Sequence, residues 1–236
     1  MSANAEVFQS SELVASRVQE TPQPQPGRVC DAGDWNPEAF AREQIRGLVQ
    51  RVFFASGSPQ VRQVVFSAVG PNADVADICE QVGQALALET HGHIAIVGRD
   101  HHAAELVLPH PLHAGNTGIK GWSTQLSINL WRVPGFARRE FGEKSGTGAF
   151  WNSRFAELRS EFEYAVIHAP SAETSIEAAL LGQLADGIIL VLGAHSTRKA
   201  TARKIKQTLE GTRSRILGTV LSERRFPVPE RIYRIL

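Results

Sequence analysis

Short apolar runs alternate with amphipathic stretches along most of the chain. Buried-type strands are predicted at residues 64–68, 93–97, 125–133, 164–168, 187–192 and 216–221. Amphipathic helices are predicted at residues 37–54, from residue 75 onward, and at 149–162, 175–184, 197–209 and 229–235. Apolar strands separated by helices are typical of a parallel sheet covered on both faces. The pattern therefore predicts a three-layer α/β fold with a mostly parallel sheet.

The first strand, turn and helix form the centre of this pattern. The strand at 64–68 leads into the turn Gly70-Pro71-Asn72, and the helical pattern starts at Val75. A strand, a turn and a helix in this order can hold phosphate on the helix N-terminus. A working phosphate loop also needs a Lys for the β- and γ-phosphates, but the first Lys of the chain is Lys120. The frame of a nucleotide site is present without its central chemistry.

Composition supports one sizeable domain. The chain has 236 residues, 42% hydrophobic residues and a formal net charge of +1. Residues 1–35, with a Pro-rich stretch at 21–27, are predicted to be a flexible tail, and residues 36–236 a single domain. Two cysteines far apart argue against a disulfide framework, and the chain shows neither a membrane span nor a signal peptide. We therefore expect a cytoplasmic protein.

From about Phe40 onward the chain resembles the cytoplasmic ATPase domain of bacterial tyrosine kinases of capsule and exopolysaccharide synthesis. These kinases belong to the deviant phosphate-loop ATPases, which include cell-division and chromosome-partition ATPases. The resemblance lies in residues 62–68, 84–87, 93–100, 162–170, 179–191 and 216–221. It implies a P-loop-NTPase-like fold, a place in exopolysaccharide biosynthesis or capsule export, and a bacterial origin.

The family's functional residues mostly do not carry over to this chain. The loop lysine falls on Asp74 or Val75, and the magnesium-binding hydroxyl falls near Val75 or Ala76. The first aspartate of the second-strand motif falls on Gly98, although Asp100 matches the second, and the aspartate of the later acidic motif falls on His168. These losses remove most of the electrostatic stabilisation that phosphoryl transfer needs, and they predict a pseudoenzyme with no catalytic residues and no cofactor. The predicted vestigial nucleotide site comprises Gly70, Pro71, Asn72, Asp74, Val75, Gly98, Asp100 and His168.

Two further family features are incomplete. The family's kinases phosphorylate a tyrosine-rich tail, but the tyrosines here are Tyr164 and Tyr233. The family's oligomerisation motif, Glu-x-x-Arg-x-x-Arg, is represented by Glu43 and Arg46, with Val49 in place of the second Arg. Ring assembly is therefore not expected, although a weaker self-contact stays open.

Other features admit a functional and a simpler interpretation. Gly142-Glu-Lys-Ser145 resembles part of a phosphate loop but has the wrong spacing, so an ordinary loop is expected. Six of the eight histidines lie between His91 and His113. This stretch is mostly a Pro- and Gly-containing loop with no Cys and few carboxylates to complete a ligand set, so no metal site is predicted. From Ser196 onward the chain has eleven Lys/Arg against three Asp/Glu. Its basic helix carries Arg198, Lys199, Arg203, Lys204 and Lys206, which could meet lipid headgroups or an anionic partner or form a solvated face.

The residues leave three functions open. The preferred hypothesis is a non-catalytic scaffold or regulator of polysaccharide synthesis that docks onto a membrane chain-length or export protein, at the periphery of the inner membrane. The second is a divergent ATPase or kinase, using ATP and magnesium, with Asp100, His168 or Lys144 in new roles. The third is a partition-ATPase-like binder of DNA or membrane, although no nucleic-acid motif is present.

Overall fold

The structure, a computed structural model, describes residues 37–55, 60–70, 74–98, 118–135 and 148–222. The helices are α1 (Pro37–Phe53), α2 (Val75–Glu89), α3 (Gly148–Glu161), α4 (Glu177–Leu184) and α5 (Lys199–Gly211). The strands are β1 (Gln63–Ala68), β2 (Ile94–Gly98), β3 (Thr124–Gln125), β4 (Leu130–Pro134), β5 (Tyr164–Ala169), β6 (Gly187–Gly193) and β7 (Ile216–Ser222). A 3₁₀ turn, Ile119–Trp122, precedes β3.

The strands of the described residues form one sheet in the order β3-β4-β2-β5-β1-β6-β7. Every neighbouring pair is parallel except β3 and β4. Helices α1 and α2 cover one face, where Val49 and Leu86 pack on Phe66. Helices α3, α4 and α5 cover the other face through Trp151, Leu181 and Ile205. The predicted three-layer architecture is confirmed.

The prediction of one continuous strand at 125–133 is wrong, although strand structure is found at both ends of this range. The structure divides this stretch into β3 and β4, which pair antiparallel around a turn at residues 127–129. Asn129 fixes the turn, because its side-chain amide donates to Ala87 O at 3.1 Å and to Thr90 O at 2.8 Å. Ile128, which the alternating pattern placed in the strand, is 91% exposed at the turn.

A polar cluster, which we call the amino-edge network, ties β1, β6 and α3 together where the strands begin. The Asp186 carboxylate accepts hydrogen bonds from the amides of Arg62 at 2.7 Å and Gln63 at 2.8 Å. It also pairs with the Arg159 guanidinium at 2.8 Å. The buried Gln63 side chain donates to Phe155 O at 2.9 Å, which joins β1 to α3. The network satisfies polar groups that burial would otherwise penalise.

The amino-edge network predicts acid sensitivity. Partial burial opposes ionisation of Asp186, but its bonds to Arg159, Gln63 and Arg62 outweigh that effect and lower its pKa below 3.8. A lowered folded-state pKa contributes stability above the unfolded-state pKa, and this contribution disappears as pH falls through the folded value. Asp186→Asn is therefore expected to lower the free energy of unfolding at pH 7 by about 2 kcal/mol. The deficit should shrink below about pH 4, and urea titrations of both proteins from pH 7 to pH 3 would measure it. An equal deficit at both pH values would contradict the role of the charge.

None of the helices in the described ranges is long and apolar enough to cross a bilayer. The predicted tail (1–35) and terminal helix (229–235) lie outside the described residues. The domain boundary at residue 36 stays a prediction.

Candidate functional site

The candidate site lies at the carboxyl edge of the sheet, where ligands of open parallel sheets are usually bound. The ends of β1 and β5 are joined here, because Ser67 Oγ donates to Pro170 O at 2.7 Å and Ala172 N donates to Ala68 O at 2.9 Å. Gly135 N donates to Gly98 O at 3.0 Å and links the ends of β4 and β2. The edge is therefore a connected surface across four neighbouring strands.

Asp74 occupies the N-terminus of α2, where a phosphate loop would place its anion. It is the N-cap residue, and its Oδ1 accepts a hydrogen bond from Asp77 N at 3.2 Å. A carboxylate at this position is favourable because it satisfies a free N–H and complements the helix dipole. The positive end of α2 is thus already matched by a negative charge of the chain itself.

Val75, the first residue of α2, faces the interior. Its side chain is 3% exposed and belongs to the core cluster on the α1–α2 face, together with Ala68 and Val191. A residue in this environment cannot present a polar group to a ligand at the edge. Neither of the two positions to which the resemblance assigns the family's lysine carries a group that would stabilise a triphosphate.

Gly98 and His168 are in direct contact at the ends of β2 and β5. The register that pairs Val97 with Ile167 brings Gly98 beside His168. A Cβ added to Gly98 would lie 2.8 Å from His168 Cβ and 3.4 Å from His168 Nδ1. Since side chains alternate along a strand, both positions lie on the face that carries Ile96 and Val166, the face covered by α2. The two positions that the resemblance assigns to aspartates are therefore sterically coupled.

Glu173 is a site residue that sequence reasoning missed. It is exposed in the loop after β5, and its Oε2 lies 3.8 Å from the position of a Cβ on Gly70. A second carboxylate therefore lies beside the turn that follows β1. Its negative charge adds to that of Asp74 and disfavours a polyanion at this edge.

The buried Cys79 thiol of α2 lies behind this surface. Burial raises its pKa strongly, and the nearby Asp74 carboxylate raises it further. The thiol stays protonated at neutral pH and is not a nucleophile.

The predicted oligomerisation residues, Glu43 and Arg46, lie exposed on α1. Arg46 Nε donates to Glu89 Oε1 of α2 at 2.8 Å, and Gln50 Nε2 donates to Glu89 Oε2 at 3.1 Å. The Arg46 guanidinium is thus engaged within its own chain. A contact to a second copy through it would compete with this ion pair.

Several predicted site residues lie outside the described residues, namely Pro71, Asn72 and Asp100. The fragment 142–145 and the histidines from 101 to 113 lie outside them as well. Of the remaining histidines, His93 packs edge-on against Trp131 with ring centroids 4.6 Å apart. Within the ranges that the structure describes, no group of three or more His, Cys, Asp or Glu could hold a metal ion.

Sequence comparison finds bacterial tyrosine kinases. The chain is 28% identical over 75 residues to the tyrosine-protein kinase CpsD of Streptococcus agalactiae serotype III, an alignment that covers 32% of each protein. The chain thus spans about a third of the length of the curated relatives it matches. No family model matches the chain.

Structure comparison returns the same group. The kinase domain of VpsO superposes with a TM-score of 0.60 at 16% identity, covering 80% of this chain and 98% of that one. The chimerical protein CapA2B2 gives a TM-score of 0.58 at 22% identity over 76% and 83% of the two chains. The cell-division protein MinD of Aquifex aeolicus gives 0.53 at 13% identity over 73% and 72%. The resemblance to bacterial tyrosine kinase domains and the fold of the wider phosphate-loop ATPase group are confirmed.

Proposed function

We propose that this chain is a non-catalytic, tyrosine-kinase-like protein of exopolysaccharide or capsule biosynthesis that acts as a scaffold or regulator. The observation that carries the proposal is the N-terminus of α2. A carboxylate caps the helix at Asp74, and the next side chain, Val75, is buried in the core. The place where a kinase of this fold would hold phosphate thus carries an anion and an apolar side chain.

The neighbouring positions support the same proposal. Gly98 and His168 occupy the strand ends to which the resemblance assigns acidic motifs, and a side chain added at Gly98 would meet His168 Cβ at 2.8 Å. Glu173 adds a negative charge beside Gly70. A magnesium–triphosphate complex would find no acidic ligand at positions 98 and 168 and no cation at positions 74 and 75.

The partner under this proposal is a membrane protein that regulates chain length or export of the polysaccharide. The similarity of the fold to bacterial tyrosine kinase domains supports such a role. Co-purification of tagged chain with the export machinery of its own organism would support the role. Failure of every such component to bind the folded protein would reject it.

The nucleotide part of the proposal predicts no binding of ATP. Calorimetric titration with ATP and ADP, with and without magnesium, should show no heat of binding up to about millimolar ligand. Asp74→Asn is the matched variant, because asparagine still caps the helix but removes the charge. It should keep the urea midpoint of the parent, and a weak ATP affinity that appears only in this variant would identify charge repulsion as the barrier. Micromolar magnesium-dependent binding to the parent protein would overturn the proposal and favour the divergent ATPase.

A further inference from the structure

The outer surface of α5 carries a concentration of positive charge that the proposed function does not use. Over residues 198–215 the chain has seven Lys/Arg and one acidic residue, Glu210. The apolar positions of the helix, Ile205 and Leu209, are buried against the sheet. All seven cations are exposed, and we call them the basic face: Arg198, Lys199, Arg203, Lys204, Lys206, Arg213 and Arg215.

The helix places part of this charge in a continuous row. Lys199, Arg203 and Lys206 are spaced four and three residues apart, which puts them on one flank of α5. Lys206 makes a 3.6 Å ion pair with Glu210, and both side chains are more than half exposed. Exposed pairs of this kind contribute little, so the flank keeps its positive potential.

The N-terminus of α5 carries cationic residues at positions where helices normally have a polar cap or an acidic side chain. Arg198 is the N-cap residue and makes no side-chain capping bond, and Lys199 follows in the first turn, which has no acidic residue. Polar caps such as Ser or Asp, and acidic residues in the first turn, are normally preferred here. Two cations at the positive end of the helix dipole weaken the helix.

The C-terminus of α5 also carries a cation at a position where another residue type is normally preferred. Ser214 N donates to Leu209 O at 3.1 Å and Arg213 N donates to Glu210 O at 3.1 Å, which is the pairing of a Schellman motif. The position after the C-cap is Arg213, with a φ of 61°. This left-handed conformation strongly favours glycine. The chain therefore keeps an arginine where a neutral glycine would be more stable.

We infer that the basic face binds the surface of an anionic phospholipid membrane. Both ends of α5 thus carry a cation where another residue would give a more stable helix, so the helix carries this positive charge at a cost in stability. The row from Lys199 to Lys206 extends about 10 Å along α5, and each basic residue near an anionic membrane surface adds about fivefold to the affinity. The face matches a plane of lipid phosphates because its charge lies on the outside of a helix whose large apolar residues, Ile205 and Leu209, are buried against the sheet.

The same observations favour lipid over two other anionic partners. An acidic protein interface normally includes buried aromatic or aliphatic anchors, and the exposed side of α5 carries no large apolar side chain. A single-stranded nucleic acid normally stacks on aromatic side chains, and none lies between residues 198 and 215. Duplex nucleic acid is the alternative that the experiment must separate.

This inference deepens the proposed function, because it gives the scaffold a surface toward the membrane. Its test uses vesicles without protein, so it can fail while the scaffold role stands. Loss of the scaffold role would equally leave lipid binding intact.

The experiment is vesicle flotation of the full chain at low and high salt. We expect binding to vesicles of phosphatidylcholine with about 30% phosphatidylglycerol and not to phosphatidylcholine alone, with loss of binding at high salt. Lys199→Gln with Arg203→Gln should weaken binding by roughly 25-fold. The control is Arg42→Gln with Arg51→Gln, which removes the same charge from exposed positions on α1, on the opposite face of the sheet. Equal losses in both double variants, or absence of binding to the anionic vesicles, would overturn the inference.

Arg213 provides a second, independent readout. Arg213→Gly should raise the melting temperature, because it relieves the left-handed strain, and weaken vesicle binding about fivefold. Arg213→Lys should retain binding. If Arg213→Gly bound the anionic vesicles as tightly as the parent chain, the result would contradict a role of Arg213 in membrane binding. Tighter binding of the parent chain to duplex DNA than to anionic vesicles at the same ionic strength would overturn the assignment to lipid.

Discussion

Val75→Lys is expected to lower the free energy of unfolding by about 4 kcal/mol. Val75 is 3% exposed in the core cluster of the α1–α2 face, so a lysine there must bury its ammonium or displace α2. Urea unfolding followed by circular dichroism measures the loss. Burial lowers the pKa of such a lysine, so the deficit should shrink as pH rises from 7 toward 10.

Two matched variants separate charge from volume at this position. Val75→Met keeps an apolar side chain and is expected to lower the free energy of unfolding by less than about 1.5 kcal/mol. Asp74→Lys places the same ammonium one residue earlier, where the side chain is exposed, and should lose only the cap, about 1 kcal/mol. A Val75→Lys protein as stable as the parent would show that the side chain reaches solvent. Position 75 would then be able to carry a phosphate-binding lysine, and the proposal of a lost site would lose its main support.

Gly98→Ala is expected to lower the free energy of unfolding by about 2–3 kcal/mol. The new methyl group would lie 2.8 Å from His168 Cβ, and neither atom can move without shifting a strand. Without this contact, alanine in a strand would be more stabilising than glycine. A lower free energy of unfolding for Gly98→Ala would therefore indicate the clash with His168 Cβ. Gly98→Asp, which restores the family residue, should be at least as destabilising.

A double-mutant cycle identifies the partner. His168→Ala removes the imidazole but keeps the Cβ, and it should not rescue Gly98→Ala. His168→Gly removes the Cβ. The double variant should therefore lose about 2 kcal/mol less free energy of unfolding than the sum of the two single variants. Additive effects of Gly98→Ala and His168→Gly would show that the strain lies elsewhere.

Most of the fold follows from local sequence patterns. The strands near 64–68 and 187–192 are mostly apolar runs, and they are found at Gln63–Ala68 and Gly187–Gly193. The β3–β4 turn could not be predicted in this way. The apolar residues Leu126, Ile128 and Leu130 alternate with polar residues, as they would in a single strand. The turn depends on bonds from Asn129 to the end of α2, some forty residues earlier in the chain. Periodicity carries no information on such a contact.

The sequence suggests individual residues of the candidate site but not their arrangement in space. The resemblance identifies Asp74 and Val75 as departures, and a polar N-cap before an apolar residue is a local signal. The contact between Gly98 and His168 needs the register of two strands that are seventy residues apart. Predicting Glu173 as a site residue requires the position of the loop after β5 relative to Gly70. The only available signal was its place just beyond the carboxyl end of a predicted strand.

The amino-edge network also makes this domain a suitable host for loop transplantation. Its bonds among Arg62, Gln63, Arg159 and Asp186 hold the central strands together at the end opposite the candidate site. A phosphate loop from an active kinase, grafted between β1 and α2, would replace residues 69–74 without touching these bonds. Such a chimera should fold with an intact amino edge as long as residue 75 stays apolar. Under the proposed function the domain offers a background without its own nucleotide chemistry, in which the contribution of each loop residue to ATP binding can be rebuilt one at a time.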